Sequence, residues 1–284
     1  MTAVAAKHKY TYRSRAKFWV HLVLMIGSIL MIFPFIWTIL TSFKTQGEAI
    51  MIPPIFFPSH WNFDSYKEVL RTLPFDALYL NTLVLIFWRV ICASVFSSMA
   101  GYAFAKIPFK GSKWLFGMIL VAMMIPYQVT QVPLYILVVK QFKMSNTYAA
   151  LILPGIVSSY NVFLAKQFFT SIPTPLLESA KLDGCTHPGI FVKIVMPLSK
   201  TVLAVMAINT FMSTWNTFFW PFLVTSKDSM FTIQVGLKTF KFANETLFAP
   251  MMAGATLSAL PMFILFFALQ KYFLEGVTIG AVKG

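Results

Sequence analysis

The chain has 284 residues, 58% of them hydrophobic and only 11% charged, with 30 Phe, 16 Met and 7 Trp. Soluble domains carry roughly a quarter charged residues, so a water-soluble fold of this length has too few charges to cover its apolar surface. The net charge of +14, with a mean hydropathy of +0.73, therefore reads as basic residues held at a bilayer surface and not as a nucleic-acid footprint.

Crossing about 30 Å of hydrocarbon takes a helix of roughly 20 apolar residues. In chain order, a basic segment 1–17 precedes a first apolar stretch at 18–43. That stretch ends Thr41-Ser42-Phe43-Lys44, which is no small-residue cleavage site, so it is expected to stay as an anchor. The loop that follows carries Pro53, Pro54 and Pro58, then Trp61-Asn62-Phe63-Asp64, suited to capping a short interfacial helix. Further apolar stretches lie at 77–105, 114–139, 148–169, 201–225 and 251–274. The expected fold is all-α: a polytopic membrane protein with six transmembrane helices over 18–275, a cytoplasmic loop at 171–200 and a tail at 276–284.

Charge gives the orientation. With the N-terminus inside, fourteen of the 23 basic residues fall on the inner side and eight on the outer, while Arg89 stays within a span. Glu48, Asp64, Glu68, Asp76, Asp228 and Glu245 lie outside, against Glu178, Asp183 and Glu275 inside. Both termini are thus expected in the cytoplasm. Cys92 and Cys185 make no disulfide framework, and His8, His21, His60 and His187 form no metal set. No GxxxxGK[ST] motif or nucleophile–base set is present, so the chain is expected to have no catalytic residue, no metal and no cofactor of its own.

The loop at 171–200 contains Thr174-Pro-Leu-Leu-Glu-Ser-Ala-Lys-Leu-Asp-Gly184. Thr174 suits an N-cap, Pro175 the first helical position and Gly184 a left-handed C-terminal cap. A helix of roughly two to three turns does not persist alone in water and must dock. Ser179, Ala180 and Gly184 are small enough for close approach, Leu176, Ala180 and Gly184 share a row, and Leu177 and Lys181 make the next. Glu178 and Asp183 supply acceptors, so a short helix seated in a partner's groove is the natural reading. Thr186-His187-Pro188 starts a second short helix, which Met196-Pro197 breaks.

Glu178-Ser-Ala180-Lys-Leu182-Asp183-Gly184, followed by Ile194 and Pro197-Leu198, resembles the EAA loop of ABC importer permeases. The chain departs from that pattern at Ser179, Cys185 and Met196, all small or apolar replacements. Gly101-Tyr-Ala-Phe-Ala-Lys106, Met124-Ile-Pro126, Pro133-Leu-Tyr135, Trp215-Asn216, Trp220-Pro221 and Tyr272-Phe-Leu-Glu-Gly276 extend the likeness over nearly all of the chain after residue 18. Together they resemble the second permease of carbohydrate ABC importers, the maltose-type G subunit.

The resemblance implies half of a transmembrane pathway, shared with a second permease subunit and fed by an extracytoplasmic solute-binding protein. A dimer of ABC ATPase subunits holds the ATP and Mg. The substrate is a carbohydrate, with an oligosaccharide expected, although glycerol 3-phosphate importers have related permeases. The loop helix, through Glu178, Ser179, Ala180, Leu182, Asp183 and Gly184 with Pro197 behind it, sits in the ATPase groove. ATP binding closes that dimer, the helix moves with it and the bundle opens outward. The tail, with Gly280, Lys283 and Gly284, reaches toward the ATPase, and the loop at 226–250 is a contact for the binding protein or a solvated hairpin.

Within the spans, Gln128, Gln131, Asn161, Asn209 and Asn216 either line a sugar pathway or bond helix to helix, as does Asn81. Trp215 and Trp220 either stack on a sugar ring or anchor at the interface. Arg89 is read as a structural or subunit-interface residue rather than a substrate contact, since a mid-span arginine seldom faces lipid. A secondary transporter would need paired ionisable groups in the spans, and Arg89 has no acid beside it.

Overall fold

The computed structural model describes the backbone of residues 2–243 and 247–281 and the side chains of residues 17–240, 247–268 and 270. Among the described residues the structure is built of helices, with no strand. Lys17–Ser42, Phe75–Lys106 and Phe248–Ala268 are each long and apolar enough to cross a bilayer. Three pairs pass the same test jointly but are bent: Ser112–Met124 with Tyr127–Gln141 by 97°, Tyr148–Gly155 with Ser159–Thr170 by 41°, and His187–Leu198 with Lys200–Trp215 by 82°. Counting each pair once gives up to six crossings.

The first two bends, and a break at Asn216, correct three stretches expected as continuous spans, and the two bends have a local cause in proline. At the first, Pro126 excludes Ile125 from the helical region (φ −76°, ψ 120°) and the chain turns. At the second, Pro154 sits in a tight turn, Leu153–Gly155, and Ser158 restarts the helix by accepting from the Asn161 N–H at 3.3 Å. In the stretch 201–225, the helix Lys200–Trp215 ends at Asn216 and a separate helix, Phe219–Val224, follows. At the termini the helices run further than expected: Thr2–Ser42 takes in most of the basic segment, and Phe248–Ala281 passes residue 275.

The chain divides into two compact units, residues 1–72 with 241–257 and residues 73–240 with 258–284. In the first unit, Lys44 is buried: its Nζ donates to the Ile55 carbonyl at 2.7 Å and lies 4.2 Å from the centre of the Trp37 ring. Glu48 closes a capping box with Thr45, and its second oxygen accepts from the Ser59 N–H at 3.0 Å. Phe43 lies 5.2 Å from each of Trp61, Phe63 and Tyr66. Asn62 accepts from the Asp64 N–H at the head of the helix Asp64–Thr72, as that motif suggested.

In the second unit, the helix Phe75–Lys106 packs against Ser159–Thr170 and Lys200–Trp215. Its inner face carries small residues every fourth position, Ala93, Ser97 and Gly101, all buried. Such a stripe lets helix backbones approach in a bilayer, where packing rather than hydrophobicity drives association. A Cβ on Gly101 would stand 2.6 Å from the Ala165 Cβ and 2.8 Å from the Lys166 backbone nitrogen, so only glycine fits this crossing. At the other end of the same helix, Asn81 donates to the carbonyls of Ser229 and Phe231 at 2.8 and 3.0 Å and accepts from the Tyr148 hydroxyl at 2.6 Å. Asn81 thus bonds its helix to two other segments of the chain.

Candidate functional site

The helix in the loop at 171–200 spans Thr174–Leu182. Pro173, not Thr174, occupies the cap position, with no side-chain cap, and Thr174 is already the first helical residue. The C-terminus ends as expected. Gly184 adopts φ +84°, its N–H donates to the Lys181 carbonyl at 3.0 Å, and the Cys185 N–H reaches back to the Ala180 carbonyl at 2.9 Å. These two bonds are the paired closure of a Schellman turn, and Cys185 packs against the buried cluster that includes Ala180.

Two faces of this helix have separate tasks. Leu177 and Ala180 are buried in a cluster with Tyr102, Ala165, Phe169, Ile172, Ile190, Phe191, Val195, Val202 and Met206. Ala180 therefore admits the chain's own core, a correction to its placement on an outward row with Leu176 and Gly184. Glu178, Ser179, Lys181, Leu182, Asp183 and Gly184 are exposed, and Leu182 is 89% exposed. Among the described residues the ion pair present is Lys67–Asp64, so neither Glu178 nor Asp183 is neutralised by a lysine or arginine there. The exposed side thus presents Leu182, with Leu176 41% exposed, and two carboxylates outside any ion pair among the described residues.

The loop is tied to the helices beneath it. Lys106 Nζ donates to the Ile172 carbonyl at 2.5 Å and the Thr170 carbonyl at 3.4 Å, drawing the end of Ser159–Thr170 to the end of Phe75–Lys106. The Tyr102 hydroxyl stands 3.3 Å from His187 Nδ1. Thr186 caps the second short helix, His187–Ile190, accepting from the Gly189 N–H at 3.4 Å. Pro197 is exposed, and the chain turns just after it at Ser199, whose hydroxyl donates to the Val195 carbonyl at 2.6 Å. The sequence marked Lys106 only as the end of a familiar motif, because its carbonyl partners at Thr170 and Ile172 are distant in the chain.

The intramembrane candidates do not converge on one site. Asn161 is buried and donates to Thr210 Oγ1 at 3.0 Å, while its Oδ1 has no partner. Gln131 is buried and donates to the Tyr127 carbonyl at 3.3 Å. Gln128, Asn209 and Asn216 are exposed, and Asn216 donates to the Met212 carbonyl at 2.9 Å. Trp215 is buried, stacked on Phe211 with centroids 5.9 Å apart, and Trp220 is buried with its indole N–H on the Ala150 carbonyl at 2.9 Å. Neither ring is free to stack on a sugar here, and neither stands at an interface as an exposed anchor. Arg89 lies against Gly155: a Cβ there would fall 2.6 Å from the guanidinium carbon. Gly155, unremarked in the sequence, is thus the residue that lets the arginine lie against a helix bend. Gly280 falls within the helix Phe248–Ala281, while Lys283 and Gly284 lie outside the described residues. Among the described residues no group of three or more His, Cys, Asp or Glu side chains is placed to hold a metal.

Residues 93–279 match the family of binding-protein-dependent transport system inner membrane components. The chain is 36% identical over 256 residues to the arabinooligosaccharides transport system permease protein of Halalkalibacterium halodurans, covering 89% of this chain and 91% of that one. It is 35% identical over 267 residues to the Bacillus subtilis protein of the same description, covering 93% and 94%. The lactose transport system permease protein of Rhizobium radiobacter is 29% identical over 261 residues, covering 92% and 94%. In fold, the chain is similar to a chain of a bacterial ABC transporter involved in the import of the acidic polysaccharide alginate. The TM-score is 0.80 at 23% identity, over 92% of this chain and 98% of that one.

Proposed function

The chain belongs to the family of binding-protein-dependent transport system inner membrane components, and on that premise we propose that it carries an oligosaccharide through a pathway shared with a second permease. It is a permease subunit of an ABC importer for carbohydrate, and not itself an enzyme. The arabinooligosaccharide and lactose permeases among its relatives support a sugar over glycerol 3-phosphate. ATP and Mg bind to a dimer of partner ATPase subunits, and an extracytoplasmic binding protein delivers the substrate. The chain crosses the membrane six times, with both termini in the cytoplasm. Its tail, with Gly280, Lys283 and Gly284, extends toward the ATPase dimer. Arg89 braces the bend at Gly155.

The observation that carries the mechanism is the division of the helix Thr174–Leu182 into an anchored face and a bare one. Leu177 and Ala180 bind it to the bundle, so a displacement of the helix must displace Tyr102 and Phe169 with it. Leu182, Glu178 and Asp183 offer an apolar knob and two acceptors to an ATPase groove. Closure of the ATPase dimer on ATP moves the helix, and close packing beneath transmits that motion because interiors deform little.

The test replaces the bare face while leaving the anchored one intact. In the assembled importer, Leu182→Ala with Glu178→Ala is expected to cut sugar uptake roughly tenfold or more, the scale of losing a central interface anchor. Membrane insertion and basal ATP hydrolysis should persist. Unchanged uptake, together with unchanged stimulation of hydrolysis by the loaded binding protein, would remove the docking role.

A further inference from the structure

Where the helix Phe75–Lys106 ends and Ser112–Met124 begins, the chain encloses an open pocket of about 1150 Å³. Lys106, Lys110, Lys113 and Lys166 line it, with Phe104 and Trp114 among its apolar walls and no carboxylate in its lining. The imbalance runs deep, since between Asp76 and Glu178 the sequence contains no acidic residue at all. Two of the four lysines are already engaged: Lys106 on loop carbonyls, and Lys166 with its Nζ 4.1 Å from the centre of the Phe116 ring. Lys110 and Lys113 are exposed, on either side of the Gly111 turn.

Among the described residues no carboxylate lines this pocket to balance its lysines, and the adjoining surface indicates what kind of anion fits it. Trp114, Met118, Val121 and Ile125 fall at i, i+4, i+7 and i+11 along one side of the helix and its end, and are 70%, 44%, 59% and 47% exposed. A basic pocket opening onto an exposed apolar stripe, with a tryptophan at the junction, matches a phosphodiester joined to acyl chains.

We propose that the pocket is a binding site for an anionic phospholipid, the headgroup phosphate on Lys110 and Lys113 and an acyl chain along the stripe from Trp114 to Ile125. The site needs a bilayer and not the docking of the loop helix, so either proposal can fail alone.

The full chain in a nonionic detergent is titrated with phosphatidylglycerol brominated in its acyl chains, with equally brominated phosphatidylcholine, and with inorganic phosphate, while tryptophan quenching is read. Phosphatidylglycerol should quench at lower concentration than phosphatidylcholine, and Trp114→Phe should remove most of that difference. Lys110→Gln with Lys113→Gln should raise the half-quenching concentration for phosphatidylglycerol by about twenty-fivefold, from roughly fivefold per lysine. The control pair Lys140→Gln with Lys143→Gln should leave it unchanged. Equal quenching by the two lipids, or no effect of the double substitution, overturns the proposal. So does relief of quenching by inorganic phosphate, which marks a free-anion site. Loss of ATPase co-purification with lipid quenching intact would reassign the surface to a protein partner.

Discussion

Gly184 shows how one residue's backbone governs the proposed site. Its φ of +84° is a left-handed conformation, and no atom stands within 4 Å of where a Cβ would project, so space does not select glycine there. Conformation does, because a side chain in that region costs roughly 1–2 kcal/mol, less for asparagine. Substitutions should therefore rank by backbone tolerance and not by volume. Thermal unfolding of the purified chain should show Gly184→Asn nearly as stable as the parent, Gly184→Ala lower by about 1 kcal/mol, and Gly184→Val lower again. A valine variant as stable as the asparagine variant would mean that the Schellman turn does not hold this end of the helix. Gly184 was legible in the sequence because its constraint is local, a helix stop after Asp183. Ala180 was not: on a short helix both the row 176–180–184 and the pair 177–180 are available, and only Tyr102 and Phe169, distant in sequence, select the second. Trp215 and Arg89 were ambiguous for the same reason, since Phe211 and Gly155 fix their surroundings.

The elements were read well where composition decides and poorly where a proline turns the chain. Apolar length located the stretch 77–105 to within two residues of the helix Phe75–Lys106. Pro126 and Pro154 stand where the chain turns, yet the bends of 97° and 41° depend on how each half packs once its backbone bonds are released. The external segment shows the converse, a short element held by one side chain. Glu48 caps the helix Gln46–Ala49 and reaches across to Ser59. The Ser59 side chain first, then the backbone groups of Thr45 and Ser59, hold its carboxyl down at about 2 from an ordinary 4.5. A carboxyl pKa depressed by folding stabilises fully above the unfolded value and loses that contribution as pH falls through the folded one. The segment should therefore stay ordered at neutral pH and loosen between about 4.5 and about 2. With ¹³C-labelled glutamate and Glu48→Gln for assignment, the Glu48 carboxyl should titrate near 2, and Ser59→Ala should raise its midpoint toward 4.5. A parent midpoint already at 4.5 would mean that this cap does not form.

For the whole molecule, the side on which each residue emerges turns on what the bent pairs do in a bilayer. Each is either one broken crossing or a re-entrant excursion, and the two cases change the side on which every later residue emerges. The sequence favours crossings, because fourteen of 23 basic residues then gather on the inner side. His60, Gln141 and Lys193 are exposed and flank the decisive elements in turn. Between His60 and Gln141 lie Phe75–Lys106 and the pair bent by 97°; between Gln141 and Lys193 lies the pair bent by 41°. If each pair crosses once, residue 141 shares the outer side with residue 60, and residue 193 lies inside. In a chain carrying Cys92→Ser and Cys185→Ser, an impermeant maleimide should label His60→Cys and Gln141→Cys from outside intact cells. It should reach Lys193→Cys only after permeabilisation. Protection of residue 141 would make the pair bent by 97° re-entrant, and labelling of residue 193 together with 141 would do the same for the pair bent by 41°. Either result would move the helix Thr174–Leu182 relative to any cytoplasmic motor, so this labelling pattern tests the premise on which coupling at Leu182 depends.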